Sequence, residues 1–201
     1  MRLGTVSSTQ DEARSLPIGS IVVAEEQTAG RGRLDRTWVA PPGSSLLATF
    51  VIAPHPLASL AAGVAAAEAC GPPVKLKWPN DLLRNGAKLG GILVEGQSGK
   101  QLVGIGINLT SAPPGAARLE GTERDDLLAR LQAELATWLA CPYAEMLQRW
   151  RERSDTLGRR VRVELPGDTR EGIAEDIGED GALIVDGIPV HAGDVVHLHG
   201  A

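Results

Sequence analysis

Lys77-Trp78-Pro79-Asn80-Asp81, followed by Lys88-Leu89-Gly90-Gly91-Ile92-Leu93-Val94-Glu95, is the stretch on which the reading of this chain turns. Val74-Lys75-Leu76-Lys77-Trp78 alternates and then stops at Pro79, as a strand running into a turn does. Leu89 to Gln97 and Lys100 to Asn108 read as two strands around Ser98-Gly99, a hairpin. An amide, a carboxylate and an ammonium thus lie close together in sequence. Upstream, Glu26-Gln27-Thr28-Ala29-Gly30-Arg31-Gly32-Arg33 is a flexible loop carrying two guanidinium groups. Guanidinium and ammonium groups bind phosphate, and a carboxylate can hold the magnesium that accompanies it. These are the parts of a site for nucleotide phosphates.

The basic residues sharpen that reading. The chain has sixteen Arg and four Lys, and three of the lysines, Lys75, Lys77 and Lys88, fall within fourteen residues. Arg is a planar fork, whereas Lys is a compact charge on a flexible stem. Keeping Lys there suggests that a point charge is needed; a solvated surface is the alternative for Lys75 and Lys77.

Outward from this stretch the order is α/β. Ser8-Thr9 followed by Gln10-Asp11-Glu12-Ala13 reads as a helix start with a hydroxyl N-cap. Ile21 to Ala24 is a short buried strand, Ser45 to Ile52 another, and 57–70 an Ala-rich helix. Asp125 to Leu139 and Tyr143 to Leu157 carry apolar residues at helical spacing. Character changes at Gly158. Val161–Leu165, Gly172–Ile177, Ala182–Asp186, Ile188–His191 and Val195–His199 are short strands separated by turns such as Pro166-Gly167-Asp168. Five strands in so short a span suggest a small β-barrel-like module packed on the first domain. The expected division is 1–157 and 158–201.

Composition sets the bounds. The 201 residues fit one domain with a small appendix. The net charge of −5 argues against broad binding to nucleic acid, which needs a basic face. Cys70 and Cys141 have no metal-like spacing, which points to unpaired thiols in a reducing cytoplasm. Met1-Arg2-Leu3-Gly4 has no signal-peptide pattern, and 57–70 is too short to span a bilayer. The Gly loop is not a P-loop, because no Gly-Lys-Ser/Thr follows at the required spacing. It is not a dinucleotide fingerprint, since Asp35 occupies the place of the third glycine. Gly104-Ile105-Gly106 fails the same test and reads as a close-packed strand. No Gly-x-Ser-x-Gly or local Cys–His signature offers a nucleophile. His191, His197 and His199 alternate, but nothing completes a metal ligand set.

Taken in order, Ser8-Thr9, Gln27 to Arg33, Trp38, Lys77 to Asp81, Lys88 to Glu95 and Gly106-Ile107-Asn108-Leu109 resemble the biotin protein ligases. The similarity covers residues 5–110, and the β module after Gly158 resembles the family's C-terminal domain. Several motifs in order are specific; any one alone would be weak. The resemblance implies a mixed α/β catalytic domain like those of class II aminoacyl-tRNA synthetases, with a small C-terminal SH3-like β-barrel. It implies an ATP-dependent ligase that forms biotinyl-5′-adenylate and pyrophosphate. Biotin is then passed to one lysine of the biotin carboxyl carrier protein of a biotin-dependent carboxylase.

The same resemblance implies residue roles. Arg31, Gly32 and Arg33 lie on the loop that closes over biotin and the adenylate. Lys88 bridges the biotin carboxylate and the α-phosphate, and Gly91 also binds biotin. Asn80 and Asp81 serve ATP and Mg2+, with Asp81 also a candidate base for the acceptor lysine. Ser8, Thr9, Gln10 and Gln27 hold the polar end of biotin. Trp38 stacks near adenine, and Asn108 contacts the nucleotide. The chain departs from the family pattern at Gln10, where Asn is frequent, and at Asp35, where Gly is frequent.

Plainer readings stand beside these. Ser8-Thr9 could serve only as an N-cap. Trp78 reads as core, Gly90-Gly91 as close packing, Glu95 as an exposed strand residue, and the Arg run at 149–153 as a solvated helix face. With Ser8 so near the start, no winged helix and no specific DNA binding are expected; a homodimer is left open. Two other functions compete: a lipoate–protein ligase of the same fold, and a non-catalytic biotin sensor. The pair Arg33 and Lys88 argues against the sensor, because binding biotin alone needs no phosphate clamp.

Overall fold

The computed structural model describes residues 1–165 and 167–198. Seven strands form the larger sheet: β1 (Arg2–Val6), β2 (Ile21–Gln27), β3 (Ser45–Ile52), β4 (Val74–Lys77), β5 (Asp81–Arg84), β6 (Ala87–Gln97) and β7 (Lys100–Asn108). Their order is β1-β2-β3-β7-β6-β5-β4. β1 and β2 run parallel and the other neighbours antiparallel, so the sheet is mixed as expected.

Side chains alternate across this sheet. Leu46, Ala48 and Phe50 of β3 and Val103, Ile105 and Ile107 of β7 face the main core. That core is closed by α2 (Ala58–Cys70), α3 (Arg124–Ala140) and α4 (Tyr143–Arg153). α2 is apolar nearly all round and buried nearly throughout, as a helix packed on several sides must be. Its Ala and Gly residues let the layers approach closely. A Cβ on Gly63 would stand 3.5 Å from Leu76 Cδ2 and 3.9 Å from Trp150 Nε1. On the opposite face sits the short α1 (Thr9–Ala13), capped by Ser8, whose Oγ accepts from the Gln10 N–H at 3.3 Å. Ala13 packs there on Val22, Val51 and Leu102.

The second sheet contains β8 (Arg160–Leu165), β9 (Asp168–Ile177), β10 (Leu183–Val185), β11 (Ile188–Val190) and β12 (Asp194–His197). These are the five expected strands, antiparallel in the order β11-β10-β9-β8-β12. Among the described residues they do not close into a barrel; β11 and β12 are edges. β11 is three residues long and contains Pro189, which has no N–H to donate to a further neighbour. Pro166 of the expected turn and His199 of the last expected strand lie outside the described residues.

Three sequence readings need correcting. β1 and β5 were not anticipated. Arg2–Val6 lacks clean alternation, and β5 is held by two consecutive buried leucines, Leu82 and Leu83. α4 stops at Arg153, short of Leu157. Ser154 Oγ accepts from the N–H groups of Thr156 and Leu157 at 3.0 and 3.1 Å, and the chain turns to meet β4. Lastly, the Arg run is not simply a solvated face. Arg149 and Arg153 donate to Glu68 of α2 at 2.6 and 2.7 Å, and Arg151 to Asp176 of β9 at 2.6 Å.

The sheets meet at the end of β4. The Asp155 N–H donates to Leu76 O at 2.7 Å, and the Trp78 indole N–H to Gly181 O at 3.1 Å. Trp78 is buried, as expected for a core residue. Cys70 and Cys141 are free thiols, and burial pushes Cys70 up to about 12. Among the described residues no helix is long and apolar enough to cross a membrane.

Candidate active site

The face of the large sheet away from α2 carries a bare patch. Gly91 pairs with Gly106, and Gly106 with Leu47; Leu93 pairs with Gly104. Period two puts Gly91, Gly104 and Gly106 on the same side. They floor a cleft of about 410 Å3. Side chains from elsewhere lie directly on this floor. A Cβ on Gly106 would come within 2.7 Å of Trp38 Cε2, and one on Gly104 within 2.6 Å of Gln10 Nε2. At Gly106 the ring leaves no room for a side chain, and at Gly104 a side chain would have to displace the end of Gln10. From the sequence, Gly104-Ile105-Gly106 reads as a close-packed strand, with Gly106 also opening the family-like motif Gly106-Ile107-Asn108-Leu109; the signal for the floor is their period-two spacing on a strand.

The cleft gathers every residue to which the resemblance gives a role: Ser8, Thr9, Gln10, Gln27, Arg31, Gly32, Arg33, Trp38, Asn80, Asp81, Lys88, Gly91 and Asn108. Lys77 also lines it, whereas Lys75 points elsewhere and donates to Glu152 O at 3.4 Å. One end is polar and buried. Gln27 Oε1 accepts from the Thr9 N–H at 2.7 Å and from its hydroxyl at 3.0 Å. Thr49 Oγ1 lies 2.8 Å from Thr9 Oγ1 and extends this network. Gln10 Nε2 donates to Leu93 O at 2.8 Å, leaving the buried Gln10 Oε1 without a partner in the chain. A buried polar atom left so is a place for a ligand donor. Ser8 is therefore both the cap of α1 and part of this wall.

The other end is charged. Lys88 Nζ lies 2.6 Å from Asp81 Oδ1, across the antiparallel pair of β5 and β6. Asn80 is fixed by its own strand neighbours: its Nδ2 donates to Ile92 O at 2.7 Å and its O accepts from the Ile92 N–H at 2.9 Å. Asn108 is buried and donates to Ala117 O at 3.0 Å. The indole N–H of Trp38 is buried without a partner in the chain.

The loop from Gly30 to Trp38 covers these groups. Arg31 and Thr37 form an antiparallel bridge, and the Trp38 N–H donates to Gly30 O at 2.9 Å. The Arg36 N–H donates to Arg33 O, while Leu34 and Asp35 between them both have positive φ, at 52° and 58°. This is a tight turn of the type that favours Gly or Asn; Asp tolerates the conformation, and Leu does so at a cost. Asp35 therefore serves where the family often has Gly.

The arginines of the loop differ. Arg33 Nη1 donates to Gly193 O at 3.2 Å and to Asn80 Oδ1 at 3.4 Å, with Asp194 Oδ1 at 3.8 Å. Burial lowers its guanidinium below the usual arginine value, while the charges of Asp194 and Asp81 oppose that shift. Arg31 is shared between Asp11 at 3.0 Å and Glu95 at 3.2 Å, and the hydrogen bond to Asp11 raises it. Its charge is already answered within the chain. Arg36 pairs with Asp194. Neither Arg36 nor Asp194 was singled out from the sequence, because the pair joins parts of the chain far apart.

Residues 4–111 match the Biotin/lipoate A/B protein ligase family, and residues 156–198 match the Biotin protein ligase C terminal domain. A biotin–acetyl-CoA-carboxylase ligase of Mycobacterium tuberculosis is 38% identical over 213 residues, covering 90% of this chain and 79% of that protein. One of the same name from Paracoccus denitrificans is 37% identical, covering 92% and 93%. Among solved structures, a biotin protein ligase from Aquifex aeolicus in complex with biotin and ATP superposes with a TM-score of 0.87 at 25% identity. That match covers 100% of this chain and 98% of the other. With motifs, fold and cleft in agreement with these likenesses, the chain belongs to the biotin/lipoate A/B protein ligase family.

Proposed function

We propose that this chain is a biotin protein ligase. It activates biotin with ATP to biotinyl-5′-adenylate and pyrophosphate, then transfers biotin to a lysine of a biotin carboxyl carrier protein. The observation that carries this is one cleft with two unlike ends. The Thr9–Gln27 network and the open Gln10 Oε1 form a polar end suited to the ring of biotin. Lys88, Asp81 and Arg33 form a charged end suited to phosphate.

In the first step an oxygen of the biotin carboxylate attacks the α-phosphorus and pyrophosphate leaves. Two anions must approach, so the work is positioning and charge stabilisation. Lys88 lies between the two reacting groups and gives up part of its contact with Asp81 to them. Arg33 donates to the phosphates from above. Asn108 and Trp38 hold the nucleoside. In the second step the neutral amine of the acceptor lysine attacks the acyl carbon and AMP leaves. Asp81 takes the amine's proton as the new bond forms.

Magnesium fits as a partner of ATP. Among the described residues no three acidic, His or Cys side chains cluster. A single carboxylate sharing the ion with phosphate oxygens is a common magnesium arrangement, and Asp81 can supply it. The ion would neutralise charge on the phosphates.

Incubation with biotin, Mg-ATP and an unmodified carrier domain should add one biotin to one lysine, read by intact mass and peptide mapping. A carrier that remains unmodified while the protein is folded would rule the transfer out.

A further inference from the structure

The loop that covers the cleft is fastened to the second sheet at one point. Arg33 donates to Gly193 O at 3.2 Å, Arg33 and Asp194 lie 3.8 Å apart, and Arg36 is paired with Asp194. Asp194 begins β12 and is largely covered. Its position is fixed from behind, because β12 pairs with β8 residue for residue and Gly193 packs tightly on Val163 and Leu165. A Cβ at Gly193 would stand 2.7 Å from Val163 Cγ1. Leu34 and Asp35 at the tip of the loop adopt left-handed backbone that neither residue favours strongly. The loop therefore needs an external contact to hold that shape.

We propose that Asp194 is a positioning residue that latches the ligand loop through Arg33 and Arg36, so that the second sheet sets where the Arg33 guanidinium points. Arg33 keeps donors free for phosphate because Arg36 supplies much of the charge that answers Asp194. The latch links the two sheets to the chemistry. When it opens, Arg33 leaves the cleft and the adenylate is exposed to water. The phosphate role of Arg33 and this last consequence rest on the ligase reading; the latch itself does not.

Trypsin tests the latch without any ligand, because the Arg33–Leu34 bond is a cleavage site inside the loop. The full chain is compared with Asp194→Asn, Arg36→Ala and the double variant, with thermal unfolding alongside. Each single variant should be cut at this bond at least about fivefold faster than wild type, the factor given by about 1 kcal/mol. The double variant should be cut no faster than either single one, because both break the same contact. Asp194→Glu, which keeps the charge, should recover part of the protection. Arg36 is an exposed loop residue, so Arg36→Ala keeps the test valid if Asp194→Asn lowers the melting temperature. Wild-type cleavage in Arg36→Ala, or additive effects in the double variant, would overturn the latch. A second arm measures escape of biotinyl-adenylate into solution, which should rise in both single variants at unchanged melting temperature. Failure of the wild type to form any adenylate would refute the ligase reading and leave the trypsin result to decide the latch.

Discussion

Lys88 Nζ lies 2.6 Å from Asp81 Oδ1, at the charged end of the cleft, although six residues lie between them in the chain. The β5–β6 turn makes this contact, with Asn85 and Gly86 both at positive φ. The Lys88 side chain is 44% exposed and that of Asp81 19%, so the pair is partly open to solvent. An ion pair of this kind adds about 0–1 kcal/mol to stability. On the proposed reading, its value lies in holding the ammonium where a phosphate oxygen arrives.

Lys88→Met should therefore slow adenylate formation far more than it loosens the fold. A charge-assisted hydrogen bond contributes about 1.5–3 kcal/mol. One that strengthens in the transition state appears in the rate, at about tenfold per 1.36 kcal/mol. A slowing of about tenfold to a hundredfold is expected in single-turnover adenylation, with little change in thermal unfolding. Normal adenylation would remove Lys88 from the chemistry, and a large loss of stability would make it structural.

The glycine floor gives a test that separates the two ends of the cleft. Alanine at Gly104 collides with Gln10, and alanine at Gly106 with the Trp38 ring. Gly104→Ala should raise the KM for biotin about tenfold or more, an effect of about 1.4 kcal/mol, with a smaller effect on ATP. Gly106→Ala should instead raise the KM for ATP. Equal effects of both variants on both substrates would show that the floor does not divide the ligands in this way.

Much of the fold was legible because it obeys local rules. Ser45–Ile52 and Lys100–Asn108 are apolar runs between turn signals, and their ends match the strands residue for residue. The cleft residues were legible for another reason: their types and order resemble a family, and the turns that carry them are short. What escaped depends on distance. Glu68 and Arg153, or Asp194 and Arg36, are pairs that only folding brings together. β1 escaped because its pairing with β2 comes from register, while its own side chains are mostly exposed.

Arg33→Ala should leave the protein folded but unable to retain its product. The adenylate should leave the cleft and label bystander lysines more than wild type does, measured by mass spectrometry of an added unrelated protein. A variant that still makes adenylate and stays fully selective would show that the loop does not seal the site.

Glu68 predicts part of the acid response. Burial raises its pKa, but the hydrogen bonds and charges of Arg153 and Arg149 outweigh that and hold it below the usual 4.5. With the folded value lowered, the stabilisation is fully present above the ordinary glutamate range. It is lost as pH falls through the folded pKa. Glu68→Gln should thus cost about 2 kcal/mol at pH 7, the scale of a charged hydrogen bond, and progressively less as pH falls below the ordinary glutamate range. Urea unfolding across an acid pH series measures this; an equal loss at every pH would assign the effect to packing.

The most direct test of the central claim is exchange of labelled pyrophosphate into ATP by the purified protein with magnesium, comparing biotin, lipoate and no acid. Exchange that depends on biotin, with lipoate at background, is the result expected of a cleft whose polar end fits biotin and whose charged end activates its carboxylate. Exchange with lipoate equal to or above that with biotin, or none with either, would contradict it.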